Sequence, residues 1–207
     1  MKRIVLMALL AMALPVAAFA GDVDFQNSGG TLTGSSAGLS LSGSNLTGVN
    51  GLGLGTCSNA TPCGSVTFST GSLISGNLSS TTTSSMLNGG GSFVITGNGT
   101  GGLPNGVIFT GTFSSNVTWT PQPNCGSGGS VCYTMSGSIT GTWYNGTTVN
   151  GATIQITLNA GSHGFMGQVT LGSGDTIIGT VPEPGTLGLL GTGLVGLAGV
   201  VRRKLKV

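Results

Sequence analysis

The sequence predicts an all-β domain, an antiparallel β-sandwich or meander, with a Gly-rich β-solenoid as the alternative. Three stretches, 107–119, 131–143 and 152–158, alternate apolar and polar side chains with a period of two, which is typical of half-buried strands. Asn-Gly pairs, which favour tight type I′ hairpins, recur between residues 50 and 151. No segment of the domain carries a convincing amphipathic helix.

The alternating stretches predict which side chains form the core. In 107–119 the apolar face includes Val107 and Phe109, and Ile108 is the one apolar residue on the opposite face. A loop over 121–130 is expected to join the first two strands, and Asn145-Gly146 to join the second to the third. The aromatic residues expected in the core are Trp119, Tyr133 and Trp143. Tyr144 breaks the alternation beside a turn, so we expect it to be exposed and available for stacking on a sugar ring.

Residues 1–20 resemble a secretory signal peptide. Lys2 and Arg3 provide the positive start, and an apolar run follows over residues 4–14. That run would span only about 16 Å as a helix, roughly half of a hydrocarbon core, which favours a cleaved signal over a membrane anchor. The residues that define the predicted cleavage site are Ala18, Ala20 and Gly21.

A second signal occupies the C-terminal tail. A Pro-Glu-Pro tripeptide precedes an apolar, Gly-rich span over 185–201, about 25 Å long as a helix and therefore long enough for a predicted transmembrane helix. A basic stop-transfer cluster follows, and by the positive-inside rule it stays cytoplasmic while the body lies on the outer side. The tripeptide is Pro182, Glu183 and Pro184, and the cluster is Arg202, Arg203 and Lys204.

In this order, these three features resemble the PEP-CTERM sorting tail. The resemblance covers residues 182–207 and implies recognition of the tripeptide by exosortase, a membrane transpeptidase, followed by removal of the tail. It implies nothing about the activity of the body. A plain C-terminal anchor is the alternative.

The distribution of charge excludes several function classes. All six basic residues lie at the two ends of the chain, and there is no charged residue between Phe25 and Gly174. The predicted exported domain, residues 21–181, carries three aspartates and no Lys or Arg, so its side chains sum to −3. Nucleic-acid and nucleotide binding need basic side chains to neutralise phosphate, and we therefore expect neither.

Four cysteines form two local pairs, Cys57 with Cys63 and Cys125 with Cys132. In an exported chain two disulfides are expected, and proximity favours the nearest-neighbour pairing among three possible connectivities. Five and six residues separate the members of the pairs, whereas zinc sites typically have two to four. We expect no metal centre and no cofactor.

Residues suited to catalysis are few. His163, the single histidine, would need a serine and one of the aspartates to form a hydrolytic triad, and no nucleophile-elbow motif is present. Asp22 and Asp24 lie beside the predicted new N-terminus, and Asp175 is far away in the sequence. Three aspartates so placed are weak evidence for a Ca²⁺ site or for the pair of facing carboxyl groups of a glycosidase. We expect a protein that is not an enzyme.

The expected function is therefore structural: an envelope or extracellular-matrix protein for which exopolysaccharide is a candidate partner. A carbohydrate-binding or adhesive module at the cell surface is the alternative. The expected route uses the Sec translocon and signal peptidase, a transient inner-membrane intermediate, and an exosortase-type transpeptidase. Since the long strands carry neither charge nor proline, a further hypothesis is that the exported domains assemble edge to edge or are kept soluble only by glycan.

Overall fold

The computed structural model describes residues 22–54, 57, 61–123, 125, 130–161 and 164–179. These residues form thirteen strands and one 3₁₀ turn at Thr100–Gly102. Within those ranges, no helix is long and apolar enough to cross a membrane. The predicted signal peptide, its cleavage site, the sorting tripeptide, the transmembrane helix and the stop-transfer cluster all lie outside the described residues.

The strands alternate with short turns along the whole described chain. Their bounds are β1 Asp22–Ser28, β2 Thr31–Ser35, β3 Gly38–Asn50, β4 Gly64–Ser69, β5 Leu73–Ser75, β6 Ser85–Leu87, β7 Gly90–Asn98, β8 Asn105–Phe113, β9 Val117–Pro123, β10 Val131–Trp143, β11 Thr148–Asn159, β12 Gln168–Thr170 and β13 Gly174–Gly179. The predicted strand over 131–143 is confirmed as β10, and the one over 152–158 lies within β11.

Eight of the strands close into an antiparallel barrel. Their order is β11-β13-β1-β3-β4-β7-β8-β10, and β10 then pairs with β11 to complete the ring. The all-β, antiparallel prediction is confirmed, whereas a sandwich, an open meander or a solenoid is corrected to a closed barrel. Closure depends on the pairing of β1 with β13, the first and last strands, which we call the seam. The long strands β8, β10 and β11 therefore have partners on both sides, which removes the premise of edge-to-edge assembly.

The remaining five strands lie outside the ring. β9, β6 and β5 continue the sheet from β10, while β2 pairs with β3 and with β12. β8 and β9 follow one another along the same edge of β10, so the predicted strand over 107–119 is interrupted at residues 114–116. β9 also extends to Pro123, which shortens the loop predicted over 121–130. Buried side chains of the ring and of these outer strands belong to one continuous core.

A β-bulge reverses the predicted orientation of two neighbouring residues. In the β7–β8 pairing, Ile95 lies opposite Phe109 and Thr96 lies opposite Val107, which leaves Ile108 as the extra residue. Ile108 is fully buried and Val107 is 47% exposed, although the simple alternation predicts the opposite for both.

The turn between β10 and β11 differs from the predicted type I′ hairpin. The Trp143 N–H donates to the Thr147 carbonyl at 2.9 Å, which encloses a loop of three residues instead of two. Gly146, at the end of this loop, has a φ of 82°, the left-handed value expected where a hairpin loop of this length meets the next strand.

Candidate functional site

The seam brings two carboxyl groups together on the outer face of the barrel. Asp24 lies opposite Ile177 and Gln26 lies opposite Asp175, so Asp24 and Asp175 are diagonal neighbours on adjacent strands. Their side chains are within hydrogen-bonding contact, and Oδ1 of Asp24 is buried without a partner among the described residues. Burial, the hydrogen bond to Asp175 and the negative charge of Asp175 raise the pKa of Asp24 from 3.8 to about 6.

Sequence reasoning did not bring this pair together, because Asp24 lies beside the predicted new N-terminus and Asp175 is far away in the sequence. A signal was nevertheless present, because all three aspartates of the domain lie near its two ends. Had pairing between the first and last strands been assumed, two of them would have been expected to meet. The third, Asp22, lies opposite Gly179 and is exposed.

A cleft of about 650 Å³, which we call the polar groove, lies beside the seam. The disulfide between Cys125 and Cys132 contributes to one side of it. Most of the remaining lining consists of amide and hydroxyl side chains, with Asp175 as its single acidic residue. The polar side chains of this lining include Gln26, Asn27, Thr157 and Asp175.

Asn27, one of the groove residues, is 2% exposed and has an incompletely satisfied amide. Its Nδ2 donates to Oγ of Ser44 at 2.7 Å, and Ser44 Oγ in turn donates to the carbonyl of Ser28 at 3.3 Å. Oδ1 of Asn27 has no partner among the described residues. Gly174 makes room for this amide, because a Cβ at that position would lie 2.5 Å from Asn27 Oδ1.

Both predicted disulfides are present. The Cα atoms of Cys57 and Cys63 are 5.9 Å apart, and those of Cys125 and Cys132 are 5.7 Å apart, within the usual range for a disulfide. The described residues contain no group of three or more His, Cys, Asp or Glu side chains able to hold a metal ion. His163 lies outside the described residues.

The aromatic residues take the predicted positions. Trp119 and Tyr133 are fully buried and stacked, with ring centroids 4.5 Å apart, and Trp143 is 8% exposed against Phe109. None of these three can present its face to a sugar. Tyr144 is 43% exposed, as expected for a residue at the β10–β11 turn, but it does not line the polar groove.

Comparison with known protein families identifies one feature of the chain, its C-terminal tail. The PEP-CTERM protein-sorting motif matches residues 180–204, which confirms the resemblance of the tail. No curated protein and no solved structure matches the chain. The motif indicates an exported protein that is held transiently in the membrane, processed by an exosortase-type system and sorted to the surface or beyond.

Proposed function

We propose that this chain is a structural protein of the cell envelope or extracellular matrix, with exopolysaccharide as its partner. The observation that carries the proposal is the sorting motif at residues 180–204, which directs a protein to that location. The closed barrel supports it, since its centre is filled by buried side chains and its body carries almost no charge. A compact domain held by two disulfides suits an oxidising compartment.

We also propose that the protein has no enzymatic activity. In a retaining glycosidase the two carboxyl groups stand about 5 Å apart, and in an inverting one they stand further apart, so that a sugar or a water fits between them. Asp24 and Asp175 instead contact each other directly. Asp22, the remaining aspartate of the domain, is exposed and lies opposite Gly179.

The proposed route begins with the Sec translocon and with cleavage by signal peptidase after Ala20. The stop-transfer cluster at Arg202 then holds the chain in the inner membrane with the barrel on the outer side. An exosortase-type transpeptidase recognises Pro182 to Pro184 and removes the tail.

Substitution of the tripeptide tests this proposal in the native host. Glu183→Ala, or deletion of residues 182–184, should leave unprocessed protein in the inner membrane, whereas Thr186→Ala is the control outside the tripeptide. Membrane fractionation and intact mass spectrometry measure the location and the tail. Normal release of the Glu183→Ala protein would contradict the proposal.

The second candidate is a carbohydrate-binding module on the same barrel. The polar groove favours it, because hydroxyl and amide side chains beside a carboxylate are the groups that hydrogen-bond to sugars. The structural protein and the carbohydrate-binding module differ in whether binding of polysaccharide depends on the polar groove alone.

A further inference from the structure

We propose that the polar groove binds a neutral polysaccharide chain through its hydroxyl groups, an inference that rests on the proposed surface function and names the site. The groove, at about 650 Å³, is within the roughly 300–1,000 Å³ that ligand-binding clefts occupy. It differs from most such clefts in being lined mainly by polar groups, and it therefore suits a ligand that is polar along its whole length.

The barrel arranges part of this lining as a row. Thr157 on β11 lies opposite Asp175 on β13, and Asp175 lies opposite Gln26 on β1. Because neighbouring strands are about 4.8 Å apart, the row presents a hydroxyl, a carboxylate and an amide at regular intervals across the strands. The carboxylate only accepts hydrogen bonds, while the other two both donate and accept. A chain of sugar hydroxyls, which also donate and accept, is complementary to this row.

Charge restricts the ligand to a neutral one. Asp175 is the one charged side chain of the groove, and the sequence from residue 25 to residue 174 contains no Lys or Arg. An anionic ligand, such as a phosphate or a uronic acid polymer, would meet a carboxylate with no basic side chain to offset it. The groove therefore favours unmodified sugar units.

Asn27 lies on the opposite face of β1 from Gln26 and is not part of the row. A buried carbonyl oxygen without a donor is destabilising, and most buried polar atoms in folded proteins have a partner. Oδ1 of Asn27 has none among the described residues, although its residue lines the groove. Because Oδ1 is itself enclosed, the row and not Asn27 provides the contacts to the bound chain.

The test measures retardation of the exported protein, purified in mild detergent, in native gels that contain one polysaccharide each. The neutral probes are dextran, β-1,3-glucan and galactomannan, alginate is the anionic control, and each gel is run once with EDTA and once with Ca²⁺. We expect retardation by at least one neutral polysaccharide and none by alginate. Thr157→Val removes a hydroxyl, and Asp175→Asn replaces a charged acceptor with a weaker neutral one, so each should weaken binding about tenfold.

Two control variants match these changes outside the groove. Thr153→Val makes the same substitution on the same outer face of β11, opposite Gly179. Asp22→Asn removes one carboxylate from an exposed position on β1. Both should bind within about twofold of the unsubstituted protein. Thermal unfolding of all four variants shows whether a loss of binding is accompanied by a loss of the fold.

Three results would overturn the inference: no retardation by any neutral polysaccharide, equal losses in Thr153→Val and Thr157→Val, or binding that requires Ca²⁺ and disappears in EDTA. Membrane fractionation of the native host tests the proposed surface location separately. Protein that reaches the surface but binds no polysaccharide overturns the groove alone. Protein that never leaves the inner membrane overturns the proposed function, whatever the gels show.

Discussion

Asp24 contacts Asp175 across the seam, where the first and last strands of the described chain pair to close the barrel. Burial of the side chain favours the neutral form of Asp24, so this group keeps its proton to a higher pH than a solvated carboxyl does. The hydrogen bond to Asp175 and its negative charge add to this effect, and the pKa of Asp24 rises to about 6. The closure of the barrel is thereby linked to the protonation of one side chain.

The stability of the barrel should fall as the pH rises from about 4 to 7. The pKa of Asp24 is 3.8 in its ordinary state and about 6 in the fold, so the folded state holds the proton more tightly than the unfolded chain. The stabilisation is fully present below pH 3.8 and is lost as the pH rises through about 6. Because Asp24 is partly exposed, water weakens the effect, and we expect the melting temperature to change by a few degrees.

Two variants identify the group responsible. Asp24→Asn should flatten the dependence of melting temperature on pH, whereas Asp22→Asn, which removes an exposed carboxyl from the same strand, should leave it unchanged. A flat profile in the unsubstituted protein, or an unchanged slope in Asp24→Asn, would contradict the linkage.

Tyr133 should stabilise the protein through its hydroxyl as well as its ring. The buried N–H of Phe165 donates to the Tyr133 hydroxyl at 3.1 Å, and Phe165 is fully buried. Tyr133→Phe leaves this N–H without its acceptor, so we expect a loss of about 1–2 kcal/mol in the free energy of unfolding. Tyr144→Phe makes the same change at an exposed position and should have almost no effect. Urea denaturation measures both, and equal losses would show that the hydrogen bond contributes little.

Gly141 should be intolerant of a side chain for steric reasons. A Cβ there would lie 2.6 Å from Cζ of Phe109 and would also meet the backbone oxygen of Thr110. Phe109 cannot easily give way, because its ring packs against Trp143 at a centroid distance of 4.6 Å. Gly141→Ala should therefore cost about 1–3 kcal/mol.

Gly137 is the matched control on the same face of β10. A Cβ there would contact Asn116 and Val117 at 3.4 Å, which is close to an ordinary van der Waals distance. Gly137→Ala should be nearly neutral or slightly stabilising, since alanine restricts the unfolded chain. If denaturation gave the same loss for both alanine variants, crowding by Phe109 would not be the cause.

The sequence predicts those features of the fold that depend on residues close together in the chain. β10 was predicted to the residue because thirteen positions alternate without interruption. The bulge at Ile108 was not, since an extra residue leaves no trace in composition and reverses the alternation only locally. The seam and the Asp24–Asp175 contact depend on pairing between opposite ends of the chain, which no local pattern encodes.

The polar groove was equally beyond local reasoning. Its residues come from separate parts of the sequence, and only the barrel register brings Thr157, Asp175 and Gln26 into one row. The disulfides, by contrast, were predicted from proximity because each joins residues only six or seven positions apart. Trp119 was also placed correctly in the core, because alternation alone orients it.

The two disulfides should be detectable in native material as Cys57–Cys63 and Cys125–Cys132. Peptide mapping without reductant should find both links, and alkylation should label no thiol. Replacing both members of one pair with alanine should cost roughly 2 kcal/mol, the chain-entropy value for such short loops. A crossed linkage, or zinc in place of a disulfide, would contradict the structure.

The barrel domain should remain monomeric at high concentration. Long alternating strands without charge or proline invite edge pairing only when one side is open, and here the ring closes. The pairing paths of the described sheet end in β5 and β12, which have three residues each and offer few free backbone groups. Residues 22–180 form one compact unit, so residues 21–181 can be purified and studied alone.

Sedimentation at rising concentration measures this, and a single monomeric species is expected throughout. Gln155→Pro is the informative variant, because Gln155 on β11 lies opposite Ser136 on β10 and opposite Ile177 on β13. Proline removes a backbone donor from a strand that is paired on both sides, so the ring should open and the variant should associate. Association of the unsubstituted domain would mean that the short strands β5 and β12 are sufficient to template pairing. Monomeric Gln155→Pro protein that remains folded would mean that closure of the ring is not what keeps the domains apart.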